Sequence, residues 1–261
     1  MSGPRVRFVI GGAQKAGTTA LARYLARHPS LRLPRGKEAH VFDAPDFEDA
    51  GSVADVDARY APHYDDADVD ALHGDATPIY MLHPRLVERI ARYNPAMRWI
   101  VLLRDPVARA ISQYHMERRR GLESWPMLAA FWLERLRLAG HHDNFSDASP
   151  LRTRSYLLRG DYASQLDALH ARFPRDQVLV LMSDDLRRDP ATTVRRVCEF
   201  LGVPPLAEAP APERVFEGGY PAPGLLQRAS ARLLLAPAIR RLRRRYGIDF
   251  TPRRAPAPDR P

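Results

Sequence analysis

Cysteine and lysine are nearly absent from this chain of 261 residues. Cys198 is the only cysteine, which excludes a framework of disulfide bonds. Its place in an amphipathic helical pattern predicts a buried structural thiol. Of the 40 basic residues, only Lys15 and Lys37 are lysines, and the others are arginines. The two lysines stand out against this background because both lie in motifs that are unusual for other reasons.

Long apolar runs are also missing. No run approaches the roughly 18 residues of a membrane span, and the N-terminal residues lack the apolar core of a signal peptide. We therefore expect no membrane span and a cytoplasmic location. A hydrophobic content of 45% and a charged content of 27% are ordinary for a soluble globular protein.

Acidic residues do not balance the basic ones, and the formal net charge is +9. Much of the excess lies in the last 22 residues, at Arg240, Arg241, Arg243, Arg244, Arg245, Arg253, Arg254 and Arg260. A nucleic-acid site and a solvated basic helix with a tail both fit this pattern. We favour the second interpretation and expect no nucleic-acid partner. Residues 251–261, rich in proline and arginine, are predicted to be disordered.

Apolar runs of strand length alternate with amphipathic helical patterns along the chain. Strands are predicted near residues 6–10, 99–103 and 177–182, and helices near 18–25, 84–93, 106–114, 155–173, 190–201 and 225–246. In addition, residues 30–34 are predicted to be short and extended, and residues 74–80 to be the end of a strand that turns into a loop. This alternation predicts an α/β fold. We expect a single P-loop-like domain over residues 1–250, with a mainly parallel central sheet flanked by helices. Helical insertions and a C-terminal helical segment, broken at Pro237, would complete it.

A glycine-rich loop joins the first strand to the first helix. Its sequence is Gly11-Gly12-Ala13-Gln14-Lys15-Ala16-Gly17-Thr18-Thr19. A helix N-terminus after such a loop binds anions through free backbone N–H groups and the helix dipole. Lys15 precedes the last glycine of the loop, whereas the P-loop of nucleoside triphosphatases has its lysine directly after that glycine. An ordinary turn is the alternative, although it does not need this combination of residues.

A second strand-loop-helix unit carries charge at the end of a strand. The apolar run 99–103 ends in Arg104-Asp105-Pro106, and a helix follows. Open α/β sheets bind ligands at the carboxyl ends of their strands. The guanidinium group of Arg104 suits a phosphate, and Ser112, two turns along the helix, supplies a second donor. The alternative is a surface ion pair between Arg104 and Asp105, with Ser112 an ordinary helical serine.

The segment 36–43 is a dense cluster of ionisable residues on a predicted strand or loop. On an extended chain Glu38 and His40 point to the same side, so both could face one pocket. A salt bridge of Glu38 with Lys37 or an arginine is the alternative to a catalytic carboxylate. For His40, a structural role and a catalytic role both remain open.

Three motifs in this order resemble one family. They are Gln14-Lys15-Ala16-Gly17-Thr18-Thr19, Lys37-Glu38-Ala39-His40-Val41-Phe42-Asp43 and Arg104-Asp105-Pro106-Val107-Ala108-Arg109-Ala110-Ile111-Ser112-Gln113-Tyr114. The set resembles sulfotransferases that use 3′-phosphoadenosine 5′-phosphosulfate (PAPS). It is most similar to the heparan sulfate N-sulfotransferase and 3-O-sulfotransferase branch and its bacterial relatives, over about residues 6–203.

The resemblance implies roles for individual residues. The 5′-phosphosulfate loop would be formed by Lys15, Ala16, Gly17, Thr18 and Thr19. The 3′-phosphate would be held by Arg104 and Ser112, and the adenosine side would be near Gly219 and Tyr220. The catalytic group would comprise Glu38 as general base, His40 and Asp43 beside it, and Lys15 at the leaving phosphate.

The resemblance also implies partners: PAPS as co-substrate and a carbohydrate or small-metabolite acceptor with a hydroxyl or amino group. No metal is expected, because no acidic strand end and loop hydroxyl are arranged as a magnesium site. The sequence leaves open which acceptor is used and the oligomeric state. A nucleotide-dependent kinase is a further alternative, separated by the position of Lys15 and by magnesium dependence.

Two departures from the family pattern stand out. Eukaryotic relatives have Glu-Lys-Thr/Ser-Pro-x-Tyr where this chain has Asp75-Ala76-Thr77-Pro78-Ile79-Tyr80. The missing lysine weakens the expectation of a highly anionic glycosaminoglycan as acceptor. The basic Lys-Gly-Arg-x-x-Pro loop of the family has only a weak counterpart in residues 216–221.

Overall fold

The computed structural model describes residues 3–65, 70–208, 210, 219–220 and 222–250. A parallel sheet of five strands in the order β2-β3-β1-β4-β5 forms its centre. The strands are β1 (Val6–Gly12), β2 (Leu31–Arg32), β3 (Leu72–Asp75), β4 (Arg98–Leu103) and β5 (Val178–Met182). This confirms the predicted α/β fold with a parallel sheet.

Eleven α-helices of the described residues surround this sheet. They are α1 (Thr18–Leu25), α2 (Val53–Tyr60), α3 (Pro84–Tyr93), α4 (Pro106–Arg119), α5 (Met127–Trp132), α6 (Glu134–Leu138), α7 (Pro150–Thr153), α8 (Tyr162–His170), α9 (Ser183–Arg188), α10 (Pro190–Leu201) and α11 (Leu225–Tyr246). Short 3₁₀ turns lie at Ala61–His63, Tyr80–Leu82, Leu158–Gly160 and Arg175–Gln177. Within the described ranges, none of these helices combines the length and the apolar character that a membrane crossing requires.

The two central strands are buried because helices cover both faces of the sheet. Residues 99–103 of β4 are fully buried, as expected for a continuous apolar run in a parallel sheet. Gly11 on β1 allows the ring of Trp99 to lie directly over the backbone, where a Cβ atom would collide with it. Gly74 on β3 does the same for the ring of Phe8.

The strand order brings the two predicted anion loops together. From β1 the chain passes to β2 and β3 on one side of the sheet, and then to β4 on the other side. The direction of winding therefore reverses between β1 and β4, which are neighbours. This reversal is the place where open α/β sheets form their ligand crevice.

The C-terminal helix α11 is continuous, so the predicted break at Pro237 is wrong. Leu235 and Leu242 are buried on either side of the proline. Pro237 itself is exposed, and so is Leu233, whose carbonyl would otherwise accept the missing N–H. Packing along the buried side keeps the helix together, because the lost hydrogen bond lies on the solvent side.

The helix predicted over 155–173 begins only at Tyr162. One reason is Arg109, whose Nη2 donates to the carbonyl of Tyr156, the group that would accept the N–H of Gly160 in an α-helix. Gly160 donates to the carbonyl of Leu157 instead, and a 3₁₀ turn forms. The carboxylate of Glu134 accepts the backbone N–H groups at the start of this turn, of Leu157 at 2.6 Å and of Leu158 at 2.8 Å.

Two further predictions concern single regions. Cys198 is buried and forms no disulfide, as predicted. The predicted disordered tail, residues 251–261, lies outside the described residues.

Candidate active site

The loop after β1 is fixed against the neighbouring strand. The backbone N–H of Ala13 donates to the carbonyl of Leu102 at 2.7 Å. Gly17 precedes α1 in the left-handed region, with φ of 100°, and no side chain caps that helix end. Lys15 also lies in the left-handed region, with φ of 70°. Strained conformations of this kind cluster at functional sites, and an uncapped helix start favours an anion.

Lys15 lies in a strongly positive environment. Burial lowers the pKa of Lys15, and the charges of Arg119 and Arg104 lower it further. Cations brought this close repel one another, so an anion bound among them would relieve that repulsion.

The loop after β4 is joined to the Lys15 loop through Arg104. Its Nη1 donates to the backbone carbonyl of Lys15 at 3.1 Å, and its own carbonyl accepts from the hydroxyl of Tyr162 at 2.9 Å. Asp105 accepts the backbone N–H of Ala108 at 2.7 Å and so caps α4. The alternative of an ion pair between Arg104 and Asp105 is not observed in the structure.

The acidic segment 36–43 is a loop with two left-handed residues, Lys37 with φ of 72° and His40 with φ of 53°. Of the two predicted possibilities, a strand or a loop, the structure has the loop, and the chain is not extended here. Glu38 and His40 nevertheless meet, because the turn brings His40 Nε2 to 3.2 Å from Glu38 Oε2.

Glu38 and His40 hold each other in their charged forms. The two ring nitrogens of His40 face Glu38 and, at 2.9 Å, Asp43, so both donate when the ring is an imidazolium. Burial lowers the pKa of His40, but hydrogen bonds to Asp43 and Glu38 outweigh it and raise the pKa to about 9. Burial raises the pKa of Glu38, but His40 and the paired Lys37 outweigh it and lower the pKa to about 2.

Asp43 is fully buried behind His40 and is fixed by an arginine from another element. Arg152 on α7 lies with Nη2 2.5 Å from Asp43 Oδ2, and its Nε donates to the carbonyl of Phe145 at 2.7 Å. A buried carboxylate needs such a partner. Asp43 therefore orients the imidazole ring from behind and does not itself face the pocket.

A hydrogen-bond network attaches this loop to the end of β3. Asp75 accepts from the hydroxyls of Thr77 and Tyr80, each at 2.7 Å, and from the backbone N–H of Ala39 at 3.2 Å. Thr77 Oγ1 in turn accepts the backbone N–H of His40 at 3.3 Å. Residues 75–80, in which Ala76 replaces the lysine of the family pattern, thus support the backbone of the loop 36–43.

A cavity of about 820 Å³ connects these loops. Its wall contains most of the predicted site residues, namely Lys15, Gly17, Thr18, Thr19, Glu38, His40, Arg104, Ser112 and Tyr220. Ala16 and Asp43 are buried behind the wall, and Gly219 is exposed outside it. Nine of the twelve residues assigned from the sequence thus line one cavity.

Tyr220 stacks on His115 of α4, with ring centroids 4.1 Å apart and an interplanar angle of 10°. An aromatic face of this kind suits a purine ring. The rest of the weak motif, residues 216–218 and 221, lies outside the described residues.

Several residues of the cavity wall were not predicted. They are Met116, Glu117 and Arg119 on α4, Arg120 directly after it, Arg152 and Thr153 on α7, Arg159, and Ser183, Leu186 and Arg187 on α9. On α4 the signal was present, because Met116 and Arg119 continue the face of Ser112 at helical spacing. For α7, α9 and Arg159 no local pattern marks the residues, since tertiary packing alone brings them to the cavity.

A family model described as "Sulfotransferase domain" matches residues 6–214 of this chain. The heparan sulfate glucosamine 3-O-sulfotransferase 3B1 of Mus musculus is 31% identical over 197 residues, which are 75% of this chain and 45% of that protein. The heparan sulfate glucosamine 3-O-sulfotransferase 6 of Homo sapiens is 33% identical over 211 residues, 77% of this chain and 55% of that protein. The chain thus spans about half the length of these curated relatives.

A solved structure is similar over nearly its whole length. The crystal structure of a sulfotransferase from Alicyclobacillus acidocaldarius has a TM-score of 0.75 and 28% sequence identity, covering 94% of this chain and 97% of that one. The motif resemblance and the structural match therefore agree.

Proposed function

Because the chain belongs to the sulfotransferase domain family, we propose that it transfers a sulfuryl group from PAPS to a hydroxyl or amino group of a carbohydrate or other small acceptor. The observation that carries the proposal is the single cavity that joins the Lys15 loop, Arg104 and the Glu38–His40 pair.

The donor set of the cavity fits a cofactor with two separated anionic ends. The uncapped start of α1, with Thr18, Thr19 and Lys15, would hold the 5′-phosphosulfate. Arg104 and Ser112 would hold the 3′-phosphate. When bound, PAPS supplies an activated sulfuryl group, and the protein supplies its orientation and a proton acceptor.

Glu38 is the proposed general base. The acceptor oxygen or nitrogen forms a bond to sulfur while the bond from sulfur to the bridging phosphate oxygen breaks, and that oxygen keeps the electron pair. The acceptor loses its proton to the Glu38 carboxylate. Lys15 stabilises the negative charge that grows on the phosphate as the bond breaks.

The protonation states favour Glu38 over His40 as base. With a pKa raised to about 9, His40 is an imidazolium at neutral pH and has no lone pair for a proton. Glu38, with a pKa of about 2, is fully ionised. A carboxylate with so low a pKa is a weak base, so we infer that the acceptor displaces Lys37 from Glu38 and thereby raises its basicity, while the hydrogen bond from His40 keeps the carboxylate in place.

The pH profile separates the two candidate bases. With Glu38 as base, kcat/KM should be level from about pH 5 to 8 and should fall above about pH 9, where His40 loses the proton it donates to Glu38. With His40 as base, kcat/KM would instead rise about tenfold per pH unit up to about pH 9. The measurement is transfer of radiolabelled sulfate from PAPS to a panel of saccharides between these limits.

Calorimetry tests the donor site directly. We expect 3′-phosphoadenosine 5′-phosphate, the product, to bind more tightly than ATP with magnesium. Arg104→Ala should weaken its binding roughly 10- to 100-fold, because hydrogen bonds to charged groups are worth about 1.5–3 kcal/mol. Arg172→Ala is the matched control, since this exposed arginine pairs with Glu88 at 3.2 Å outside the cavity.

Tighter binding of ATP, or no binding of the bisphosphate, would contradict the sulfotransferase proposal and favour the kinase alternative.

A further inference from the structure

Two buried residues of opposite charge lie in the cavity wall and have no role in the step described above. Glu117 on α4 is 1% exposed, and Arg159 in the 3₁₀ turn Leu158–Gly160 is 3% exposed. Both line the cavity that contains Lys15 and Glu38.

The carboxylate of Glu117 is only partly satisfied. Its Oε1 lies 3.7 Å from Arg120 Nη1, whereas Oε2 has no hydrogen-bond partner among the described residues. Burial raises the pKa of Glu117, and the charges of Arg120, Arg159 and Lys15 oppose that effect. An unpaired oxygen this deeply buried is unusual, because buried polar atoms almost always have a partner.

The guanidinium group of Arg159 is fixed on one side and open on the other. Its Nε donates to Ser155 Oγ at 2.8 Å, and its Nη2 donates to the carbonyls of Leu151 and Arg152, each at 3.2 Å. The third nitrogen, Nη1, has no hydrogen-bond partner in the described part of the chain. Burial lowers the pKa of Arg159 to about 9, which leaves it a cation at neutral pH.

Glu117 and Arg159 line the same cavity but do not contact each other. Each charge alters the pKa of the other residue, yet no ion pair or hydrogen bond joins them in the structure. Opposite charges that share a buried wall gain most by pairing. A gap between them is therefore costly unless a polar group of a ligand or a water molecule fills it.

Glu117 and Arg159 line the cavity in which the transfer step is proposed to take place. The charge of Lys15 acts on Glu117, and the charge of Asp43, behind His40, acts on Arg159. The pair shares one cavity with the proposed leaving-group lysine and the proposed base, and an acceptor has to enter that cavity.

We propose that Glu117 and Arg159 form an acceptor subsite for neighbouring hydroxyl groups of a sugar or polyol, with one hydroxyl donating to Glu117 Oε2 and its neighbour accepting from Arg159 Nη1. This inference rests on the proposed sulfotransferase function. A hydroxyl can both donate and accept. The site already contains one buried charge of each sign, with Arg120 3.7 Å from Glu117, so neutral hydroxyls, which can pair with both, complete it better than a further ionic group.

The test uses methyl β-D-glucopyranoside and each of its monodeoxy analogues as acceptors. The analogue that lacks the sulfated hydroxyl is left out of the comparison. With the wild-type enzyme, at least one of the other analogues should have a kcat/KM about ten- to hundredfold lower than that of the parent glycoside. With Glu117→Leu this penalty should shrink to about threefold or less, because the missing hydroxyl no longer has a partner to lose. The same variant should raise KM for the parent glycoside.

Two controls separate recognition from folding. Glu117→Leu should bind 3′-phosphoadenosine 5′-phosphate with unchanged affinity, and a purely structural defect would lower kcat/KM for parent and deoxy acceptors by the same factor. Glu88→Leu, which replaces an exposed carboxylate on α3, should keep the full deoxy penalty.

The outcomes distinguish this inference from the proposed function. If the bisphosphate does not bind the wild type, both are overturned. If the bisphosphate binds, any of three results overturns only the subsite. No glycoside is sulfated, or the deoxy penalty persists in Glu117→Leu, or a phosphorylated sugar is preferred over the neutral glycoside.

Discussion

The Glu38→Gln enzyme is expected to transfer sulfate about 10²- to 10⁴-fold more slowly than the wild type, because the amide cannot take the proton of the acceptor. The substitution keeps the size of the side chain and an oxygen that can accept from His40 or Lys37. Binding of 3′-phosphoadenosine 5′-phosphate should change little, since the anion loops lie on other elements. The measurements are the initial rate of sulfate transfer from labelled PAPS to the saccharide panel and calorimetry of the bisphosphate.

The pH profile of this variant adds a second readout. Without the negative charge of the carboxylate, the amide oxygen stabilises the imidazolium of His40 less, so any residual activity should show its alkaline limb at a lower pH than in the wild type. Glu48→Gln is the matched control, because Glu48 is an exposed carboxylate in the same stretch of chain. A rate within about threefold of the wild type would exclude Glu38 as base and would favour His40 or the substrate itself.

The sequence predicted the two loops of the proposed donor site well, because their signal is local. A buried apolar run, glycines and a helical pattern follow one another within residues 6–25. Such a unit has the same physical meaning in any parallel sheet. The strand order then determined that the loops after β1 and β4 would meet, which the contact of Arg104 with the carbonyl of Lys15 shows.

The acidic loop was predicted less well, because its shape depends on distant residues. Glu38 and His40 meet through a turn with left-handed residues rather than along an extended strand. That turn is held by Thr77, by Asp75 and by Arg152, which pairs with Asp43 from 109 residues away in the chain. Local propensity contains no information about such long-range partners.

The same limit explains the misplaced helix boundaries. Arg109 occupies the carbonyl of Tyr156, which the helix predicted from 155 would need as an acceptor. The packing of Leu235 and Leu242 keeps α11 continuous across Pro237. In each case a contact between elements overrides the local preference on which the prediction relied.

Lys15→Met is expected to lower kcat for sulfate transfer by about 10²- to 10³-fold, the loss typical when one group that stabilises developing charge is removed. Methionine retains an unbranched chain in the loop but not the ammonium group. The negative charge on the phosphate oxygen grows only as the bond to sulfur breaks, so kcat should fall much more than the affinity for PAPS. Rapid-quench measurement of a single turnover at saturating PAPS reports this step directly.

Lys37→Met provides the contrast, because Lys37 is the only other lysine and pairs with Glu38. Loss of that pairing should raise the pKa of Glu38 from its low value of about 2, so the acidic limb of the pH profile should move upward. Lys15→Met should leave this limb in place, since Lys15 is not among the groups that lower the pKa of Glu38. If Lys15→Met instead weakened PAPS binding while kcat stayed within about threefold, Lys15 would be a binding residue for the phosphosulfate and not a stabiliser of the leaving group.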